Sequence, residues 1–187
     1  MKKRMFASLL PLLAICTFSA AQESKPDDQR YKLLATTKTS TMEKELNASA
    51  AQGYRILIGS PTSGSEMAIF LERAPSKGEP YRYKLLATTR TGTMQKELNE
   101  AGDGGYRLLP RTMIAKAQAL MGGAEIVVVL ERAPAGEKRY EYKLLATSLT
   151  STLQKEVTEA QDAGFVIVGM VSRGEHMVIL ERESGPK

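Results

Sequence analysis

The chain has 187 residues, 26 of them Lys or Arg and 21 Asp or Glu, with a single His and a single Cys. One histidine and one cysteine argue against a dedicated zinc or copper centre and against a disulfide framework. The formal net charge is +5; without Lys2, Lys3 and Arg4, which read as part of an export signal, 23 basic residues face 21 acidic ones and the charge is +2, a weak basis for binding nucleic acid.

Residues 1–21 have the form of a signal peptide. Lys2, Lys3 and Arg4 make a basic start, Phe6 to Phe18 is mostly apolar, and Ser19-Ala20-Ala21 places small residues where a signal peptidase reads them. The apolar stretch is shorter than the roughly 20 residues that cross a bilayer. Cleavage before Gln22 predicts a periplasmic or extracellular protein with no integral membrane segment and no remaining cysteine. Ile15, where a small residue is expected, argues against a lipid-modified Cys16. Residues 22–30 are polar and read as a flexible lead-in.

From Tyr31 the chain repeats itself. Tyr-Lys-Leu-Leu-Ala-Thr-Thr stands at Tyr31–Thr37 and Tyr83–Thr89, and Tyr-Lys-Leu-Leu-Ala-Thr-Ser at Tyr142–Ser148. In the first unit (31–75) this stretch suits a β-strand. Ser40 and Glu43 are spaced as a capping box. Met42, Leu46 and Ala50 recur at helical spacing, and Gly53 ends a helix of about 12 residues. Two short apolar runs, Arg55–Ile58 and Met67–Leu71, flank the turn Gly59–Gly64 and read as a hairpin. The unit is β-α-β-β.

The second unit (81–134) repeats the order with Gly92, Gln95, Met94, Leu98 and Gly105-Tyr106. Its hairpin carries a longer loop over 110–124, whose centre from Met113 to Met121 has the composition for two helical turns. The third unit (140–183) has Ser151 and Gln154 as a capping box, Gly164-Phe165 as the helix stop, and His176 at the start of its last strand. From opening Tyr to the aromatic after Gly each unit spans 23 residues, whereas unit starts are 52 and then 59 apart. The extra length lies in the second hairpin, where a loop absorbs it at little cost.

The expected class is α+β: three tandem repeats, a mixed sheet, and helices on one face. Ile126–Leu130 is apolar on both faces and expects cover on both. Closure of the units into a pseudo-threefold, barrel-like sheet would supply it, as would an open sheet with a bare face in a contact between molecules.

The pattern Tyr31-Lys32-Leu33-Leu34, Leu46-Asn47 and Gly53-Tyr54, repeated as Tyr83–Leu86, Leu98-Asn99 and Gly105-Tyr106, resembles a family of small bacterial β-α-β-β domains of unknown function. The third unit departs from it at Val157-Thr158 and Phe165. The resemblance implies the fold and carries no activity.

Catalytic equipment is sparse. No Ser-His-Asp set or phosphate loop is marked out, no catalytic or metal-ligating residue is assigned, and no cofactor is called for. Glutamates recur in register (Glu45, Glu97, Glu156; Glu66, Glu125, Glu175; Glu72, Glu131, Glu181), a pattern that solvated faces and ion pairs explain. The Thr-rich turns before the helices have the composition to hold an anion, or to serve only as loops. The non-repetitive hairpin loop is the place to seek a private function, with Arg107, Arg111, Lys116, Met113 and Met121 as binding candidates. The reading is an exported, non-catalytic repeat protein with a binding or structural role, through a protein partner or self-association by the apolar sheet face or loop 110–124. The alternatives are a carboxylate-dependent hydrolase and a small-ligand or anion carrier using the strand–helix turns.

Overall fold

The structure is a computed structural model that describes residues 29–62, 64–74, 78–117, 124–134 and 136–185. The signal peptide, most of the lead-in and Met121 lie outside the described residues.

Each repeat forms its own sheet. In the first, β1 (Tyr31–Thr36), α1 (Thr39–Ala51), β2 (Tyr54–Pro61) and β3 (Met67–Arg73) follow one another, and the sheet order is β1-β3-β2. The second comprises β4 (Arg82–Thr88), α2 (Thr91–Asp103), β5 (Arg107–Leu108), a 3-10 turn at Pro110–Thr112, β6 (Ile114–Ala117) and β7 (Ala124–Arg132); β4 and β5 flank β7, and β6 also pairs with it. The third has β8 (Arg139–Thr147), α3 (Thr150–Asp162), β9 (Val166–Ser172) and β10 (His176–Ser184), ordered β8-β10-β9. The α+β class and the three repeated sheet–helix units are as expected, with one extra strand, β6, in the second.

Two expectations change. The last strand of each unit inserts between the first two, so every neighbouring pair is antiparallel, and the sheets are not mixed. The helix crossover makes β1 and β2 run the same way without making them neighbours. The described residues also form three separate sheets rather than a barrel.

The second face of the second and third sheets is covered in each case by the helix of the unit before it. Met42 and Leu46 of α1 share one buried cluster with Leu34 and Ile69 of their own sheet and with Tyr83, Leu85 and Val129 of the next. Met94 and Leu98 of α2 likewise lie in one cluster with Leu86 and Val128 behind and Tyr142 and Ile179 ahead. Leu145, Val178 and Leu180 of the third sheet pack on α3 through Ala160, Leu153 and Val157. The order through the molecule is therefore sheet, helix, sheet, helix, sheet, helix. This explains why β7 is apolar on both faces: helices lie on both. It is a linear repeat, in which each unit is stabilised by its neighbours.

The helices begin and end by local rules, one of them unexpected. Ser40 lies inside α1, whose N-cap is Lys38; Arg90 and Leu149 hold that position in α2 and α3, and none of the three helices has a side-chain cap. Thr36, Thr88 and Thr147 instead accept hydrogen bonds from the backbone N–H of Lys38, Arg90 and Leu149 at 3.1–3.2 Å, closing the strand–helix turn. Gly53, Gly105 and Gly164 follow the helices with φ of 83°, 79° and 85°, the left-handed stop that favours glycine. Gly92, by contrast, is exposed in the first turn of α2 with nothing within 4 Å of a built Cβ. Gly92→Ala is expected to stabilise the protein by about 0.4–1 kcal/mol, by lowering unfolded-chain entropy. A chemical denaturation midpoint that moves the other way would contradict that.

Candidate functional site: the joints between units and the open first face

At both joints a helix treats the next unit's first strand as a neighbouring strand would. β4 is an edge, so part of its backbone polar groups face away from β7. Asn47 donates through Nδ2 to the Tyr83 carbonyl and accepts at Oδ1 from the Tyr83 N–H, both at 2.9 Å. One turn earlier, Glu43 Oε2 accepts from the Leu85 N–H at 2.8 Å. The carboxylate expected to cap its own helix is thus used between units. At the second joint Asn99 Oδ1 accepts from the Tyr142 N–H, Gln95 Nε2 donates to the Tyr142 carbonyl, and Gln95 Oε1 accepts from the Leu144 N–H, all at 2.7 Å. A small residue lets the strand come close: a Cβ on Gly102 would lie 2.0 Å from the Tyr140 carbonyl oxygen, and Ala50 stands at that position in α1.

An ion pair completes each joint. Arg55 binds Glu131 with Nη2 to Oε1 at 2.6 Å and Nε to Oε2 at 3.0 Å, and its guanidinium lies 4.3 Å from the Tyr81 ring centroid. The Tyr83 hydroxyl donates to Glu131 at 3.0 Å and accepts from the Ile56 N–H at 3.2 Å. Arg107, Glu181, Tyr142 and Leu108 repeat the arrangement, with Arg107 Nε 2.9 Å from Glu181 and the Tyr142 hydroxyl 3.1 Å from it. Both glutamates are buried. Hydrogen bonding to Glu131 holds the Arg55 guanidinium above its ordinary pKa. Burial works against the Arg107 charge, yet the Glu181 carboxylate outweighs it and the net shift is again upward. Burial also pushes both tyrosine hydroxyls well up, with the adjacent carboxylates adding to it.

The first unit carries the same receiving surface with nothing from the described chain upon it. Leu33 pairs with Phe70 and Phe70 with Ile58, so the three form a row across the sheet face opposite α1. Tyr31, Leu33, Ile58 and Phe70 are 47%, 51%, 48% and 44% exposed, whereas Tyr83, Leu85 and Val129 at the matching places of the second sheet are buried. Glu72, the counterpart of Glu131 and Glu181, takes Arg30 from its own chain at 2.8 Å, an exposed pair. No side chain among the described residues bonds to the Tyr31 or Leu33 N–H.

Among the described residues, those singled out from the loop do not converge. Arg107 belongs to the second joint. Arg111 is exposed and lines a cleft of about 640 Å³ between the first and second units, together with Arg55, Ile56, Glu72 and Arg73. Lys116 Nζ donates to the Thr37 carbonyl at 2.9 Å and lies 3.2 Å from Glu125, tying the insertion to the first unit. Met113 packs against Gly169 of the third unit. Residues 114–117 form a strand, where helical turns were expected, because Ile114–Ala117 pairs in register with β7. His176 Nδ1 lies 3.3 Å from Ser172 Oγ, an exposed local contact.

Of the recurrent glutamates, Glu131 and Glu181 serve the joints, and no grouping of His, Cys, Asp and Glu able to hold a metal occurs among the described residues. No described helix is long and apolar enough to cross a membrane. Sequence reasoning missed the joint residues Glu43, Asn47, Gln95, Asn99, Glu131 and Glu181, and the open row Leu33-Phe70-Ile58. The signal for the former was present: Asn47 and Asn99 recur where the last unit has Thr158, and Arg55 and Arg107 where it has Val166. The chain thus shows a threefold-repeated sheet-and-helix architecture; no protein-family model, curated protein or solved structure matches it.

Proposed function

We propose that this is an exported, non-catalytic protein that binds a protein partner through the open face of its first sheet. One observation carries the reading: the same face is covered by a helix in the second and third units, and Tyr31, Leu33, Ile58 and Phe70 remain half exposed in the first. A contiguous apolar patch rimmed by polar groups marks an interaction site more often than chance exposure does. Export rests on the basic start, apolar run and Ser19-Ala20-Ala21 of the N-terminus, and makes the compartment periplasmic or extracellular. The Leu46-Asn47 and Gly53-Tyr54 motifs support kinship with the small bacterial β-α-β-β domains, for which no reaction is implied. A role without catalysis agrees with carboxylates used in the joints, and with strand–helix turns whose threonines already bond to the backbone.

A photo-crosslinking residue placed at Phe70 in the exporting cell is expected to give a discrete adduct heavier than the chain, and the same residue at exposed Lys155 none. No adduct at Phe70, or equal labelling at both sites, would defeat the proposal. An adduct of twice the chain's mass would make the face a self-association surface instead.

A further inference from the structure

We infer that the partner of the open face is another β-α-β-β unit, carried by a different protein, which seats its helix on β1 as α1 seats on β4. The inference rests on the proposed binding role of that face. It is carried by an asymmetry between the two ends of the stack.

A joint needs two sets of groups. The receiving set is an edge strand beginning Tyr-Lys-Leu, an apolar face beside it, and a Glu opposite the Tyr. Units two and three show it in use, and unit one retains all of it: Tyr31 and Leu33 on the edge, Phe70 and Ile58 on the face, and Glu72 in register with Tyr31. The giving set is a helix with Glu or Gln, Asn four residues on, a small residue three beyond that, and an Arg just past the glycine stop. These are Glu43, Asn47, Ala50 and Arg55 in the first unit, and Gln95, Asn99, Gly102 and Arg107 in the second. The third unit keeps Gln154 and has lost the rest, with Thr158, Gln161 and Val166 in their places.

Thr158 now bonds to its own helix at the Gln154 carbonyl, 2.9 Å away. Gln161 puts a long side chain where even a Cβ on Gly102 would meet the next strand, and Val166 cannot pair with a glutamate. The tail therefore lacks the polar groups and the clearance that a further unit needs, including the head of another copy, although Val166, Ile167 and Met170 lie exposed there. A head that receives and a tail that does not give exclude head-to-tail growth of this chain alone, and leave a foreign unit with an intact giving set as the complementary occupant. Charge agrees: Glu72 waits at the position an incoming Arg would fill, and the exposed Arg30 that holds it is displaced at little cost.

The test restores the giving set on the protein itself, as Thr158→Asn, Gln161→Ala and Val166→Arg in one full exported chain. All three positions are exposed, so circular dichroism and the unfolding midpoint should stay near the parent's. Sedimentation equilibrium is expected to show the parent as a monomer and the variant at a mass that rises with concentration and at least roughly doubles, as an open heterologous contact demands. Adding Phe70→Lys to the variant should return it to monomer. A folded variant that stays monomeric, oligomers that survive Phe70→Lys, or a parent that already associates would each overturn the inference. Should the triple variant fail to fold, the Gln161→Ala and Val166→Arg pair carries the same test, since it removes the obstructing side chain and restores the ion-pairing Arg. A Phe70 crosslink in cells alongside a monomeric variant would mean that the face binds a partner of another kind; failure of both would remove the face as a binding site.

Discussion

Gly102→Val is expected to cost at least about 3 kcal/mol and Gly102→Ala about 1–3 kcal/mol, the range for forcing atoms into a packed site. A Cβ on Gly102 would sit 2.0 Å from the Tyr140 carbonyl oxygen, 2.9 Å from its carbon and 3.0 Å from the Tyr142 ring. Two of those three atoms are backbone, so no rotamer change relieves the clash. Relief requires β8 to withdraw from α2, and that withdrawal breaks the bonds from Gln95 and Asn99 to Tyr142 and Leu144. The two effects are therefore coupled, and the third unit should loosen first. Urea denaturation should show a lower midpoint, and hydrogen exchange should show lost protection in β8 and β10 before α1. Helix propensity alone would predict that Gly→Ala stabilises; Gly92→Ala is the control in the same helix, and the two substitutions should differ in sign. A parental midpoint for Gly102→Val would mean that the third unit is not seated on α2 as described.

Alkaline pH should unfold the protein through Tyr83 and Tyr142. A free tyrosine titrates near 10, and burial raises both of these above it. In the folded protein each hydroxyl donates to a buried carboxylate, Glu131 or Glu181, where a phenolate would meet a like charge. As pH rises past about 10, the unfolded chain releases these two protons while the folded chain retains them. The stability they supply is complete below the unfolded pKa and is lost as pH climbs towards the folded values. Each tyrosine contributes a slope of up to about 1.4 kcal/mol per pH unit in that window. Tyr83→Phe and Tyr142→Phe should each lower the stability at neutral pH, by about 1–3 kcal/mol for the hydrogen bonds left unmade, and each should remove its own share of the slope. Denaturation midpoints measured from pH 7 to 11 decide it: a parent no steeper than the double Phe variant would rule out the two tyrosines as the cause.

Local rules read from the sequence were sound where one unit suffices to satisfy them. The strand beginning Tyr31, the helix stripe Met42-Leu46 and the stop at Gly53 depend on periodicity and on one backbone conformation, and each is found where expected. The capping box failed because Glu43 had a stronger claim on it: β4 brings an unpaired N–H to within 2.8 Å of its carboxylate, and Thr36 already closes the turn. The mixed sheet failed because strand order is not a local property. A β-α-β crossover leaves room for one strand between its ends, and the hairpin partner fills it. The candidates near the 110–124 loop lie apart for a similar reason, since Met113, Lys116 and Arg107 each answer to a different neighbouring element.

The sequence by itself determined the β-α-β-β unit, its three copies, the constant spacing of strand and helix, and the need for cover on both faces of Ile126–Leu130. These follow from side-chain periodicity and turn chemistry, which act within a few residues. Only the tertiary structure decided what provides the cover. It placed each helix between two sheets, made Asn47 and Asn99 partners of a strand some forty residues away, and left Leu33, Phe70 and Ile58 without one. Such pairings depend on how whole units stack, and a repeat leaves that undetermined because its copies are nearly alike. The differences among the copies, at Thr158, Gln161 and Val166, acquire meaning once the stack shows which faces meet.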